Sequence, residues 1–135
     1  MELVINTDGA SRGNPGPAAY GYIIQKKGGE ILHQEGGKIG IDTNNVAEYT
    51  GAFKALEYIK NHYSHKAPHK ILFRADSQLV IRQLAGVYKI KNPRLKEIFN
   101  KIQEILIELG DVEFMHVPRA ENFIPDRLAN QALDS

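Results

Sequence analysis

Lys70-Ile71-Leu72-Phe73-Arg74-Ala75-Asp76-Ser77-Gln78 decides the fold. Ile71, Leu72 and Phe73 make a short apolar run, read as a strand from Lys70 to Ala75, and the chain reaches it after a long helical pattern. In that pattern Val46, Tyr49, Phe53, Leu56, Ile59 and Tyr63 recur at three- and four-residue steps, predicting a helix from about Asn45 to about His62. Thr43 or Asn44 can cap it. Before the helix, Leu3-Val4-Ile5 opens a strand that is expected to end at Asp8-Gly9. A strand–helix–strand connection of this length permits parallel pairing. Asp8 and Asp76 then share the carboxyl edge of adjacent strands, where open α/β sheets place their ligands.

The rest of the chain extends this unit. Ala10 to Pro17, rich in Gly, Pro, Asn and Ser, reads as a loop. Ala19–Gln25 and Ile31–Ile39 read as strands around the turn at Lys27-Gly28-Gly29, so the first three strands form an antiparallel meander. Ser77 caps a helix to about Ala85, stopped by Gly86, and a further helix runs from about Pro93 to Leu109 until Gly110. Val112–Val117 is a fifth strand and about Pro125–Leu133 a final helix. The expectation is an α/β domain with a mixed five-stranded sheet, three antiparallel strands plus parallel ones, and helices on both faces.

A chain of 135 residues is expected to be one domain, 1–135, burying roughly 68% of its unfolded surface. Cysteine is absent, which removes disulfides and thiolate metal sites and fits an intracellular, cytoplasmic location. No stretch approaches a membrane span, and the N-terminus runs into a strand pattern rather than a signal peptide. A net charge of +1 argues against bulk electrostatic gripping of nucleic acid. Locally, Lys89, Lys91, Arg94, Lys96 and Lys101 make either a solvated helix face or a small phosphate-contacting patch.

Four acids hold the chemistry: Asp8, Glu48, Asp76 and Asp126. Two close predicted strands and two sit near helix starts, so one pocket could gather them. Glu48, Ala52, Ala55 and Ile59 fall on one stripe, and its small residues let the helix approach the sheet, carrying Glu48 inward. Crowded carboxylates repel unless a cation joins them, and oxygen donors suit magnesium or manganese. Three of the acids also have a plain alternative: a turn at Asp8-Gly9, and first-turn helix acids at Glu48 and Asp126.

Four blocks carry a resemblance: Thr7 to Gly16, Thr43-Asn44-Asn45 with Ala47-Glu48, Ala75 to Gln78, and His116 to Asn130. They come in the order found in type 1 ribonuclease H, which the chain resembles over nearly its whole length. The resemblance implies a magnesium-dependent endonuclease that cuts the RNA strand of RNA–DNA hybrids, leaving 3′-hydroxyl and 5′-phosphate ends. It implies that Asp8 bridges two ions, Mg²⁺ or else Mn²⁺, with Asp76 and Glu48 on one side and Asp126 on the other. Asn14, Asn44 and Gln78 match positions that read 2′-hydroxyls and the minor-groove edge of the RNA strand, and Thr43 and Asn45 match positions that hold a DNA-strand phosphate. Neutral amides suit a 2′-hydroxyl, which both donates and accepts.

His116 matches a family histidine that aids proton transfer or product release, or is a strand-end histidine; Arg119, in the following loop, is placed to share that work. Pro125 before Asp126 departs from the family's small residue, and Gly86–Pro93 lacks the family's inserted helix and basic loop. The chain is expected to lack a separate N-terminal hybrid-binding domain, to bind hybrid weakly and in a salt-sensitive way, and to act as a monomer. Competing readings are an integrase-like core acting on DNA, disfavoured by the amide set, and a non-catalytic hybrid-binding module, disfavoured by retention of all four acids. His62, His65 and His69 have a spacing that invites zinc, without supporting ligands, and Tyr20 and Tyr22 read as packing.

Overall fold

The computed structural model describes all 135 residues. β1 (Glu2–Ser11), β2 (Gly16–Lys26) and β3 (Ile31–Asp42) form the antiparallel meander. α1 (Asn44–Tyr63) then crosses to β4 (His69–Ala75), which pairs parallel with β1 from Glu2↔Lys70 to Thr7↔Ala75. α2 (Gln78–Leu84) and α3 (Pro93–Leu109) lead to β5 (Gly110–His116), parallel to β4, and α4 (Phe123–Asp134) ends the chain. The strand order is β3-β2-β1-β4-β5.

Alternation sorts the two faces of the sheet. Leu3, Ile5, Tyr20, Tyr22, Ile24, Ile71 and Phe73 join Ala52, Ala55, Leu56 and Ile59 of α1 and Ile102, Ile105 and Leu109 of α3 in one core. The Tyr20 and Tyr22 rings are buried and stacked, as packing residues. α4 lies on the opposite face. A Cβ on Gly21 would stand 2.1 Å from the Pro125 carbonyl oxygen, so this contact requires glycine. No helix is long and apolar enough to cross a membrane.

The region read as a loop from Ala10 to Pro17 is half sheet. β1 runs through Asp8 to Ser11, with Gly9↔Tyr20, Ala10↔Ala19 and Ser11↔Ala18, leaving residues 12–15 outside the strands. Asp8 therefore sits inside a strand rather than at its end. It lies one residue beyond the last β1–β4 pair, so it still projects at the carboxyl edge of the parallel half. α1 presses against the strand at Gly9, which requires glycine: a Cβ there would lie 2.4 Å from the Glu48 backbone nitrogen.

Candidate active site

Four elements deliver the acids to one place. Asp8 comes from β1, Glu48 from the first turns of α1, Asp76 from the residue after β4, and Asp126 from the first turn of α4. One carboxylate oxygen from each of Asp8, Glu48 and Asp76 lies within 4.8 Å of the others. Asp126 lines the same open cleft of about 520 Å³, with Asn44, Asn45, Ser77, Arg119 and Asn130. Pro125 sits inside the first turn, since α4 begins two residues before it, and Asp126 still reaches the cleft.

The electrostatics match this crowding. Burial first, and then the neighbouring Asp76 and Asp126 charges, raise the Asp8 carboxyl from 3.8 to about 7. Burial also raises Glu48 well above its ordinary range, with Asp8 adding to it. Asp76 is raised by burial as well, while the Arg119 guanidinium pulls it back. Asp8 Oδ1 accepts the Gly9 N–H at 2.9 Å, but Glu48 Oε2 is buried with no partner. An orphaned carboxylate oxygen among like charges, with oxygen donors only, fits a hard divalent cation. Asp8, Glu48 and Asp76 form a group able to hold one.

Asparagines fix Asp126 relative to β1. Buried Asn122 donates to the Thr7 carbonyl at 2.8 Å and accepts from Asn6 Nδ2 at 3.0 Å, tying the start of α4 to the strand that carries Asp8. Asn130 Nδ2 donates to Asp126 Oδ1 at 3.3 Å. Both stand in the block from His116 to Asn130 that carries the family resemblance, where neither was given a role. The Asn130 contact was readable, because a residue four positions on shares the helix stripe of Asp126. The Asn122 contact spans 115 residues and has no local signature.

The remaining expected residues divide. Asn44, Asn45 and Arg119 line the cleft, whereas Asn14, Thr43, Gln78 and His116 stand around it. Asn14 Oδ1 accepts the Asn44 N–H at 3.1 Å, and Thr43 Oγ1 caps α1 by accepting from Val46 at 3.2 Å. Gln78 is exposed at the start of α2. His116 ends β5, and its Nε2 lies 3.2 Å from the Asp76 carbonyl oxygen. Of the five basic residues from Lys89 to Lys101, Arg94 is not a free cation, because it pairs with buried Asp42 across 52 residues. The three histidines do not converge on a metal: His62 faces the Tyr58 carbonyl and buried His69 the Tyr63 carbonyl.

A family model described as reverse transcriptase-like matches residues 6–132. A ribonuclease H of Hydrogenovibrio crunogenus is 32% identical over 149 residues, covering 99% of this chain and 97% of that protein. The chain belongs to the type 1 ribonuclease H family. Within it, ribonuclease HI of Halobacterium salinarum is 43% identical over 127 residues, 94% of this chain. This chain spans 62% of that protein's length, and 36% of a 38%-identical bifunctional protein of Mycobacterium tuberculosis. Among solved structures, LC11-RNase H1 in complex with an RNA/DNA hybrid superposes with a TM-score of 0.93 at 43% identity, covering 98% of this chain and 96% of that one. The halobacterial RNase H1 structure gives 0.91 at 41% identity, covering 99% and 98%.

Proposed function

We propose that residues 1–135 act as one catalytic domain, a divalent-metal-dependent endoribonuclease that cuts the RNA strand of RNA–DNA hybrids and leaves 3′-hydroxyl and 5′-phosphate ends. The observation that carries this reading is the carboxylate trio within 4.8 Å, with a buried, unpartnered Glu48 oxygen beside an amide-lined edge.

Asp8, Glu48, Asp76 and Asp126 are the residues that would hold two magnesium ions, or manganese. When bound, such ions supply Lewis-acid charge that favours hydroxide at neutral pH and offsets charge on the leaving oxygen. The reaction is hydrolysis by in-line displacement: a water oxygen bonds to phosphorus, the bond to the 3′ oxygen breaks, and that oxygen takes up a proton. Asp8 lines the cleft with its Oδ1 anchored on the Gly9 N–H, which restrains its orientation before substrate arrives. Arg119 faces the same carboxylates and is assigned to steady the product phosphate. His116 is assigned the lesser part of holding the Asp76 peptide in place and assisting product release.

Asn14, Asn44 and Gln78 would read 2′-hydroxyls, because an amide matches a group that donates and accepts at once. Thr43 and Asn45, at the start of α1, would take a phosphate of the DNA strand. The exposed lysines Lys89, Lys91 and Lys96 would add a salt-sensitive contribution. We further propose a monomer, since one chain supplies every residue named, and a cytoplasmic location, which the cysteine-free sequence fits. The deciding experiment is cleavage of an end-labelled hybrid in magnesium and in EDTA, with wild type and Asp8→Asn. Magnesium-dependent cutting of the RNA strand alone, lost in the variant, is expected; intact hybrid with folded wild type refutes the reading.

A further inference from the structure

Three acids of this chain are buried: Asp8 and Glu48 in the cleft, and Asp42, which stands outside its lining. Asp42 closes β3 and gathers three segments remote in sequence. Its carboxylate takes both terminal nitrogens of Arg94, with Nη1 to Oδ1 at 3.0 Å, and Oδ1 also accepts the Thr43 N–H at 2.9 Å. Its carbonyl accepts from Ser11 Oγ at 2.9 Å. Arg94 opens α3, where Asn92 takes the Arg94 and Leu95 N–H groups at 2.9 and 3.2 Å. The end of β1, the start of α1 and the start of α3 thus meet at one residue, the last two at its carboxylate.

We propose that Asp42 and Arg94 are a positioning pair for substrate reading, holding Asn14, Thr43, Asn44 and Asn45 at the spacing a hybrid requires. This rests on the function proposed above. A bidentate Arg–carboxylate pair fixes direction as well as distance. Here it sets the residue before the α1 cap, and the Asn14–Asn44 bond passes that placement to the loop. Glu48 lies one turn further along α1, but its backbone is pinned separately against Gly9. Loosening the pair therefore displaces the reading residues and leaves the carboxylate cluster where it was. Arg94 itself is a positioning residue whose charge is already answered by Asp42, not a phosphate contact.

The test compares wild type, Arg94→Ala, Arg94→Lys and Asp42→Asn, each well below its melting temperature. Anisotropy of a fluorescein-labelled RNA–DNA hybrid in EDTA gives Kd and its salt slope; steady-state cleavage in magnesium gives kcat and KM. Amide exchange at Thr43 follows the clasp directly. Arg94→Ala and Asp42→Asn are expected to raise Kd and KM about tenfold, to leave kcat within about twofold, and to speed exchange at Thr43. Arg94→Lys keeps a charge without the fork and is expected to recover part of the loss. The salt slope is expected to stay constant, whereas loss of a phosphate contact would lower it by about 0.9. A reduced slope, an unchanged Kd and KM, or a fall in kcat with KM unchanged overturns the assignment. Wild type that binds but never cuts refutes the hydrolysis reading and leaves Kd to judge the pair; wild type that binds no hybrid refutes both.

Discussion

Asp8→Asn should make the metal-free protein more stable while removing its chemistry. The folded chain holds Asp8 at about 7, against 3.8 for a free carboxyl. Each pH unit between those values is worth about 1.36 kcal/mol, so an ionised Asp8 costs the metal-free fold up to roughly 4 kcal/mol. Glu48 and Asp76 share the repulsion and adjust when it is relieved, so a gain of about 2 kcal/mol is the working figure. Asparagine keeps an oxygen for the Gly9 N–H and brings an amide toward Glu48 Oε2, which has no partner. For 135 residues, unfolding entropy of about 2.1 cal/mol/K per residue converts 2 kcal/mol to roughly 7 °C. The assay is thermal unfolding of both proteins in EDTA at pH 8. The sign with pH is fixed as well. Between about pH 4 and pH 7 the folded acid takes up its proton while the unfolded one stays ionised, so wild type is penalised less as pH falls. The advantage of the Asp8→Asn variant must shrink over that window. A variant that melts at or below wild type at pH 8, or whose advantage grows on acidification, refutes the reasoning.

Three further outcomes follow from the same geometry. Magnesium should raise the melting temperature of wild type more at pH 8 than at pH 5, because the raised Asp8 and Glu48 must ionise to bind it; calorimetry of the binding step checks this. Asn122→Ala strands the Thr7 carbonyl and the Asn6 amide in a buried setting, so denaturant titration should show a loss of about 2–4 kcal/mol. Gly9→Ala places a methyl 2.4 Å from the α1 backbone, and cleavage assays should show a fall of at least about a hundredfold in any folded fraction.

The topology was readable because a meander and then one long periodic helix lie between Leu3-Val4-Ile5 and Ile71-Leu72-Phe73, which allowed the parallel pair observed from Glu2↔Lys70 onward. α3 emerged with its expected ends since Asn92-Pro93 and Gly110 punctuate it chemically. The extension of β1 was hidden: Gly9, Ala10 and Ser11 have little strand preference, and their pairing with Ala18–Tyr20 overrides it. The four acids could be picked out because each stands in its own local motif, and all four line one cleft. Asp42 and Arg94 could not, since a pair 52 residues apart leaves no spacing to read, and Arg94 lay concealed among lysines.

The contact between Gly9 and α1 also bears on how this site could be retuned. Main chain packs on main chain there, with only the Ala47 methyl beside it. The gap between the Asp8 and Glu48 anchors is therefore a fixed ruler. Asp76 hangs on the turn after β4 and Asp126 on a helix bridged to the sheet through Asn122. An engineer seeking a larger or smaller ion would gain nothing by working on the ruler. The adjustable jaw is the Asp76 turn and the seating of α4.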